Sequence, residues 1–402
     1  MKSLSIAMVA ACPFPANHGT PANIREMSQA LASLGHKVHV VTYPMGQDIP
    51  TDGITIHRAG KIFGPKKVMV GPTYYKPFLD VLLTVKLCRV IWREKIDIIH
   101  AHNYEGGIAG YIAKKITGRP MIYNAINTMI SELPSFDFIK PKSLAVKLAA
   151  FLDRNVPRMG DHITALSDEL LDFLIQQGIP EEKITVVPAG VFPEMFRGKD
   201  PKLMRDRYGI GTKPLVVYTG TLDKFQRVDY LIKAMRVVAE VVPEAVLLVV
   251  GNIINVADIA ELKRLAIEEG VEDNIIFTDE RPLDEIPYFL ASADIAVIPR
   301  PYCPGFPIKL LNYMASGKAI VVFEGSAKGL KNSFNALIVE NDDWDAFGRS
   351  ILQLIKDPGK AKELEDNALA TITGKFDWPT LARKIEGIYN KILMLRREGT
   401  IQ

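Results

Sequence analysis

Short runs rich in Val, Ile and Ala alternate along the first half of the chain with longer stretches whose apolar residues recur every three or four positions. The first kind predicts buried strands and the second amphipathic helices. Ile6–Ala11 reads as a strand, Ile24–Leu34 as a helix closed by Gly35, and Val38–Thr42 and Ile54–Arg58 as further strands. Helix Phe78–Arg93, strand Ile96–Ala101, helix Gly107–Ile116 closed by Gly118, and strand Met121–Ala125 follow. Helix Lys142–Met159, strand His162–Ala165, helix Asp168–Gln177 with Ser167 as its N-cap, and strand Ile184–Val187 complete this half.

An irregular stretch from Pro188 to Pro214 reads as a linker, after which the alternation restarts. Strands are predicted at Leu215–Thr219, Val246–Val250, Ile275–Thr278, Ile295–Ile298, Ala319–Phe323 and Ala336–Val339. Helices are predicted at Val228–Val241, Asp258–Glu269, Leu283–Ser292, Ile308–Ala315, Trp344–Lys356 and Pro358–Leu369. Strand–helix alternation of this kind predicts an α/β fold with two doubly wound parallel sheets, and ligands in a cleft at the carboxyl ends of both. The expected boundaries are 1–195, 196–375, and a C-terminal helix in 376–402.

The length, 402 residues, suits two domains rather than one. Apolar residues at 48% and charged residues at 24% exclude a largely disordered chain. A net charge of +3 gives no electrostatic case for nucleic acid. Cys12, Cys88 and Cys303 cannot form a disulfide framework, and no Cys/His cluster has zinc spacing, so a reducing, cytoplasmic setting without a bound metal is expected. No apolar run is long enough for a transmembrane helix. Lys2 and the apolar run Ile6–Cys12 resemble a short signal or lipoprotein box, but Pro13-Phe14-Pro15 follows at once and favours a first strand.

The charge is unevenly placed. Residues 1–190 hold 21 Lys/Arg against 16 Asp/Glu, and 58–95 alone hold nine basic residues against Asp80 and Glu94. Phe63, Met69, Tyr74, Tyr75 and Phe78 lie among those cations. Interleaved cations and large apolar groups suit an anionic membrane surface; a solvated loop followed by a core helix is the alternative.

The segment Pro304-Gly305-Phe306-Pro307-Ile308-Lys309-Leu310-Leu311-Asn312-Tyr313-Met314-Ala315 closely resembles the donor-site segment of GT-B glycosyltransferases of glycosyltransferase family 4. Supporting pieces occur in family order: the Pro- and Gly-containing loop after the first strand, Ala30–Val38, Asp97–His102, Val186–Val191, Tyr218–Leu222, Phe277-Thr278 and Ala293–Val297. The resemblance spans essentially the whole chain, and Trp378–Arg397 resembles the family's helix that returns to the N-terminal domain.

This resemblance implies a retaining transfer of a hexose-type sugar from a nucleotide-diphosphate sugar (UDP- or GDP-linked) to a glycan or lipid-linked acceptor. It implies no cofactor beyond the donor, which is a co-substrate. The leaving diphosphate requires cations or helix N-termini. Lys309, at the start of helix 308–315, is the first candidate, with Arg300 and Arg227 behind it. The substrate-binding set on the donor side is Gly220, Thr221, Arg281, Gly305, Phe306, Pro307, Ile308, Leu310 and Asn312. In the N-terminal half it is Gly19, Thr20, His102, Glu105, Asn127 and Glu132, with His102 meeting acceptor or sugar. His100 and His102 are assigned to opposite faces of their strand, and Glu105 to the loop after it.

Several positions depart from the family pattern. Its two glutamates fall on Pro304 and Asn312, its N-domain histidine on Ile126, and its phosphate-binding Arg and Lys near Thr221 and Gln226 or Arg227. A binding or regulatory homologue without turnover is therefore the main rival, with an epimerase of the same architecture behind it.

Overall fold

The structure, a computed structural model, describes residues 3–16, 19–60, 75–136, 139–251, 256–303 and 306–399. Lys61, Phe63, Lys66, Lys67, Met69, Tyr74, Pro304 and Gly305 lie outside the described residues. The chain divides into two compact units, Met1–Gly190 with Trp378–Gln402, and Val191–Asp377.

In chain order the first unit holds β1 (Ser5–Ala10), α1 (Gly19–Ser33), β2 (Lys37–Thr42), β3 (Ile54–Arg58), α2 (Lys76–Arg93), β4 (Ile98–His102) and α3 (Asn103–Thr117). It continues with β5 (Met121–Ala125), the short α4 (Met129–Glu132), α5 (Lys142–Asn155), β6 (His162–Ala165), α6 (Asp168–Gln176) and β7 (Ile184–Val186). The second unit holds α7 (Lys202–Arg207), β8 (Leu215–Gly220), α8 (Val228–Ala239), β9 (Val246–Gly251), α9 (Val256–Glu268), β10 (Ile275–Phe277) and α10 (Ile286–Ser292). Then come β11 (Ile295–Ile298), α11 (Ile308–Ala315), β12 (Ala319–Phe323), β13 (Leu337–Val339), α12 (Trp344–Lys356) and α13 (Pro358–Ile372). The last helix, α14 (Trp378–Arg397), belongs to the first unit.

Every strand pairing is parallel. The first sheet runs β3-β2-β1-β4-β5-β6-β7 and the second β10-β9-β8-β11-β12-β13. In each, strand order reverses once, at β1/β4 and at β8/β11. Doubly wound sheets bind ligands outside the carboxyl ends at such a reversal, so the loops after these four strands are where a site belongs. Each unit is thus a doubly wound, Rossmann-like sheet, as the resemblance to GT-B enzymes implies.

Four details differ from expectation. Helix α1 starts at Gly19, five residues before the expected Ile24, and the 188–214 linker contains α7. Helix α3 starts directly after β4, which places Glu105 in a helical first turn rather than a loop. Glycines in this helix serve packing: a Cβ on Gly107 would lie 2.8 Å from the Tyr123 ring, and one on Gly110 2.7 Å from the Met121 sulfur. Finally, His100 and His102 share one face, their rings stacked at 4.7 Å, because side chains two apart along a strand point the same way.

That face meets α14. The Tyr389 hydroxyl lies 2.8 Å from His100 Nδ1, and on α1 Glu26 accepts from the Trp378 indole at 2.9 Å. Both histidines are fully enclosed; burial lowers the His100 pKa to about 3 and that of His102 well below the usual value, so both are neutral.

Candidate active site

At the reversal of the second sheet, the loop after β8 and the N-terminus of α11 converge on one cation. Lys309 occupies the first turn of α11, and its side chain turns toward β8 and the loop after it. Its Nζ donates to the Tyr218 hydroxyl and to Gln226 Oε1, both at 3.1 Å, and lies 4.3 Å from the centre of the Tyr218 ring. The Tyr218 hydroxyl donates to the Thr221 carbonyl at 2.7 Å, and the Gln226 amide donates to Thr221 Oγ1 at 3.3 Å. Both groups are thereby oriented to accept from lysine. Two of the three ammonium protons are held this way, leaving one for a ligand.

The residue beneath Nζ is Gly220, with φ +143°; a Cβ there would lie 2.6 Å from Nζ. Glycine meets both demands at once, the backbone conformation and the close approach. Burial pulls the Lys309 pKa down to about 7, the Arg300 charge adds to the lowering, and the Cys303 thiol opposes it. Arg300 follows β11, donates from Nε to the Tyr302 carbonyl at 2.7 Å, and stacks 4.8 Å over Phe225.

Arg227 is held differently. Its guanidinium bonds Asp229 from Nε at 2.9 Å and Nη2 at 2.8 Å and lies 3.3 Å over the Tyr230 ring. The Asp229 bonds push its pKa up, and its charge is matched locally. Arg281 lies between Asp279 at 3.7 Å and Glu285 at 3.9 Å, and its backbone N–H bonds the Gly251 carbonyl at the end of β9. Phe306 packs on Phe376 at 5.5 Å, and Pro307 and half-buried Ile308 open α11. Leu310 is fully buried, so its side chain belongs to the core and only its backbone remains for a ligand. Half-buried Asn312 stands one turn beyond Lys309 on a neighbouring face.

The reversal of the first sheet is built from acids. Glu105, in the first turn of α3, pairs with Lys76 at 3.1 Å. Tyr43, after β2, donates to Asp80 at 2.5 Å. Burial raises the Asp80 pKa to about 6, with Glu105 adding to the rise while the Tyr43 bond and Lys76 oppose it. Glu132, at the end of α4, also has a raised pKa; burial is the main cause, and Asn127 hydrogen-bonds it. Cys12, after β1, is pushed up to about 12 by burial and Glu105, and is no nucleophile at neutral pH. Gly19, with φ +49°, and Thr20 open α1. The His102 side chain is enclosed and bonded through Nδ1 to the Asn124 amide at 2.9 Å, so it is not among the solvent-facing residues.

The residues that sequence reasoning missed are Tyr218, Tyr43 and Asp80. Asp80 carried a signal, as a lone acid in the apolar run 78–92. Among the described residues, no group of three His, Cys, Asp or Glu side chains could hold a metal ion.

Residues 201–371 match the glycosyl transferases group 1 family, and residues 18–190 match the glycosyl transferase 4-like domain. The chain belongs to the group 1 glycosyltransferases. It is 25% identical to a D-inositol 3-phosphate glycosyltransferase of Acidothermus cellulolyticus, over 94% of this chain and 87% of that protein. It is 23% identical to the UDP-Gal:alpha-D-GlcNAc-diphosphoundecaprenol alpha-1,3-galactosyltransferase of Escherichia coli, over 77% of this chain and 79% of that one. Among solved structures, Anabaena HepE in complex with UDP superposes with a TM-score of 0.73 at 18% identity, covering 96% of this chain and all of that one. This glycosyltransferase therefore shares its fold with a protein captured with UDP.

Proposed function

We propose that this glycosyltransferase moves a hexose-type sugar, with retained anomeric configuration, from a nucleotide-diphosphate sugar to a glycan or lipid-linked acceptor. The observation that carries this reading is Lys309, a cation with two neutral partners and one free proton at the β8/β11 reversal. As the anomeric C–O bond breaks, negative charge grows on the departing diphosphate. A fixed ammonium at a helix N-terminus stabilises that charge more than it stabilises the intact donor. Arg300 is the second positive charge near this position. Asn312 supplies a neutral amide for the ribose hydroxyls in place of a carboxylate.

The acid group at β1/β4 is the acceptor side. Glu105 and Glu132 suit sugar hydroxyls, which donate hydrogen bonds to carboxylates. Support for a UDP donor and a lipid-linked acceptor comes from the HepE complex and from the galactosyltransferase relative. The setting that fits is assembly of cell-envelope glycans at the cytoplasmic face of a membrane.

A thermal-shift panel of UDP-, GDP- and ADP-sugars, followed by release of free nucleoside diphosphate, tests the proposal. One sugar nucleotide at a hundred times its Kd adds about 2.7 kcal/mol of stability. Stabilisation without nucleotide release in the presence of any glycan acceptor would favour a binding homologue instead.

A further inference from the structure

The crossovers through α2, α3 and α5 all carry the first sheet in one direction, so right-handed connections set these three helices on the same face. Their inner surfaces are ordinary: Leu79, Leu83 and Leu87 of α2 pack with Ala109 and Ala113 of α3 in one cluster. Their outer surfaces are not. On α2, Phe78, Val81, Val85 and Trp92 form a stripe at helical spacing, and Phe78 and Trp92 are 56% and 60% exposed. On α3, Ile108, Ile112 and Ile116 repeat every four residues, all exposed. Helix α5 is inverted: it buries Ala145 and Ala149 while Leu144, Leu148 and Phe151 face outward.

The charges on these helices are one-sided. Helix α2 carries four Lys or Arg and one acid, α3 two and one, α5 three and one. Each of the three acids is engaged with the protein: Asp80 with Tyr43, Glu105 with Lys76, and buried Asp153 with Tyr104 and the N–H groups of Met129 and Ile130. Arg89, Lys115, Lys142, Lys147 and Arg154 are exposed. Arg93 is exposed too and touches Glu94 at 3.4 Å.

We propose that the outer face of α2, α3 and α5 docks on an anionic lipid bilayer, a reading that rests on the proposed lipid-linked acceptor. Solvent-facing Phe, Trp and Ile stripes enter the acyl boundary, and the cations beside them meet anionic headgroups. Charge complementarity selects this occupant over a second copy of the chain, whose identical face would set cation against cation. The basis differs from the 58–95 surface expected from sequence. Lys61, Lys66 and Lys67 lie outside the described residues, and Lys76 is consumed by Glu105, so α3 and α5 carry the surface together with α2.

Trp92 reports on this directly, since Trp378 is buried and Trp344 is half-buried. Full-length protein is mixed with phosphatidylcholine vesicles with and without phosphatidylglycerol, and the bound fraction and quenching by bromine-labelled lipid are measured. Binding should need phosphatidylglycerol, fall as salt rises, and quench Trp92. A variant with Arg89→Gln, Arg93→Gln, Lys142→Gln and Lys147→Gln, all at exposed sites, should lose more than about tenfold in partitioning. Phe151→Gln with Ile112→Gln should lose binding while the far-UV spectrum and melting temperature hold. No binding at low salt overturns the surface, as does unchanged binding by either variant. A dimer that Phe151→Gln dissociates would also overturn it, in favour of a second copy. Donor stabilisation in the vesicle-free thermal shift separates the two readings: if it persists without vesicle binding, only the docking surface fails.

Discussion

At the β8/β11 reversal a lysine rests between a tyrosine hydroxyl and a glutamine, while at the β1/β4 reversal Asp80, Glu105 and Glu132 are drawn on by one lysine that is already paired. The backbone plan is the same in both: a parallel sheet and a change of winding direction. What differs is the sign of the charge placed there. Burial acts on both in the same way, against the charged form, so it lowers the Lys309 pKa and raises those of Asp80 and Glu132. In the proposed reading, one reversal meets an anion and the other hydroxyl protons. A fold of this type does not choose its ligand; the few side chains at the strand ends do.

The sharpest way to break this comparison is to remove its cation. Lys309→Ala should weaken nucleoside diphosphate binding by about 1.5–3 kcal/mol, the range for a lost charge-assisted hydrogen bond, and leave nucleoside binding nearly unchanged. Calorimetry with both ligands decides it, and an equal loss for the two would remove the phosphate role.

The next effect is a proton count. With its pKa near 7 in the free protein, Lys309 is mostly neutral at pH 8 and must gain a proton to meet a diphosphate. Binding at pH 8 should therefore take up close to one proton, visible as a dependence of the binding enthalpy on buffer ionisation, and affinity should fall as pH rises above 7. Lys309→Arg keeps a permanent charge and should abolish the uptake; a proton count of zero in the wild type would contradict the assignment.

Asp80 gives a pH dependence in stability. Its pKa is raised from 3.8 to about 6, so the folded state binds more protons between those values and stability falls as pH rises through that window. Asp80→Asn, which can still accept from Tyr43, should gain about 1 kcal/mol over wild type between pH 4.5 and pH 7 in denaturant titrations. A constant difference across that range would mean that Asp80 does not titrate there.

The smallest effect expected is at Asn312. Asn312→Glu should hold or modestly improve donor binding, since a carboxylate accepts ribose hydroxyls better than an amide. A severe loss with the fold intact would assign an amide-specific duty to Asn312.

Much of this was legible before any coordinates. The strand and helix alternation needed only local periodicity, and Lys309 stood out inside a recognisable segment. The shared face of His100 and His102 was legible too, since it follows from the two-residue repeat of a strand, although the sequence reading set them apart. The early start of α3 was obscured because Gly106 and Gly107 resemble helix breakers, while their use is to let the helix approach Val9 and Tyr123.

By itself the sequence determined two α/β units, the order of their elements, and the residue types available at each strand end, because hydrophobic period and turn chemistry are written within a few neighbouring residues. Which of those residues act together was decided by the tertiary structure. Tyr218 lies 91 residues from Lys309, and Gln226 83 residues. Only the winding of the sheet brings them within hydrogen-bond reach. The apolar stripes of α2, α3 and α5 were likewise indistinguishable from core positions until packing filled the inner face with leucine and alanine and left phenylalanine, tryptophan and isoleucine outside. Burial and partnership depend on what the rest of the chain brings near, and that distance is measured in space, not along the backbone.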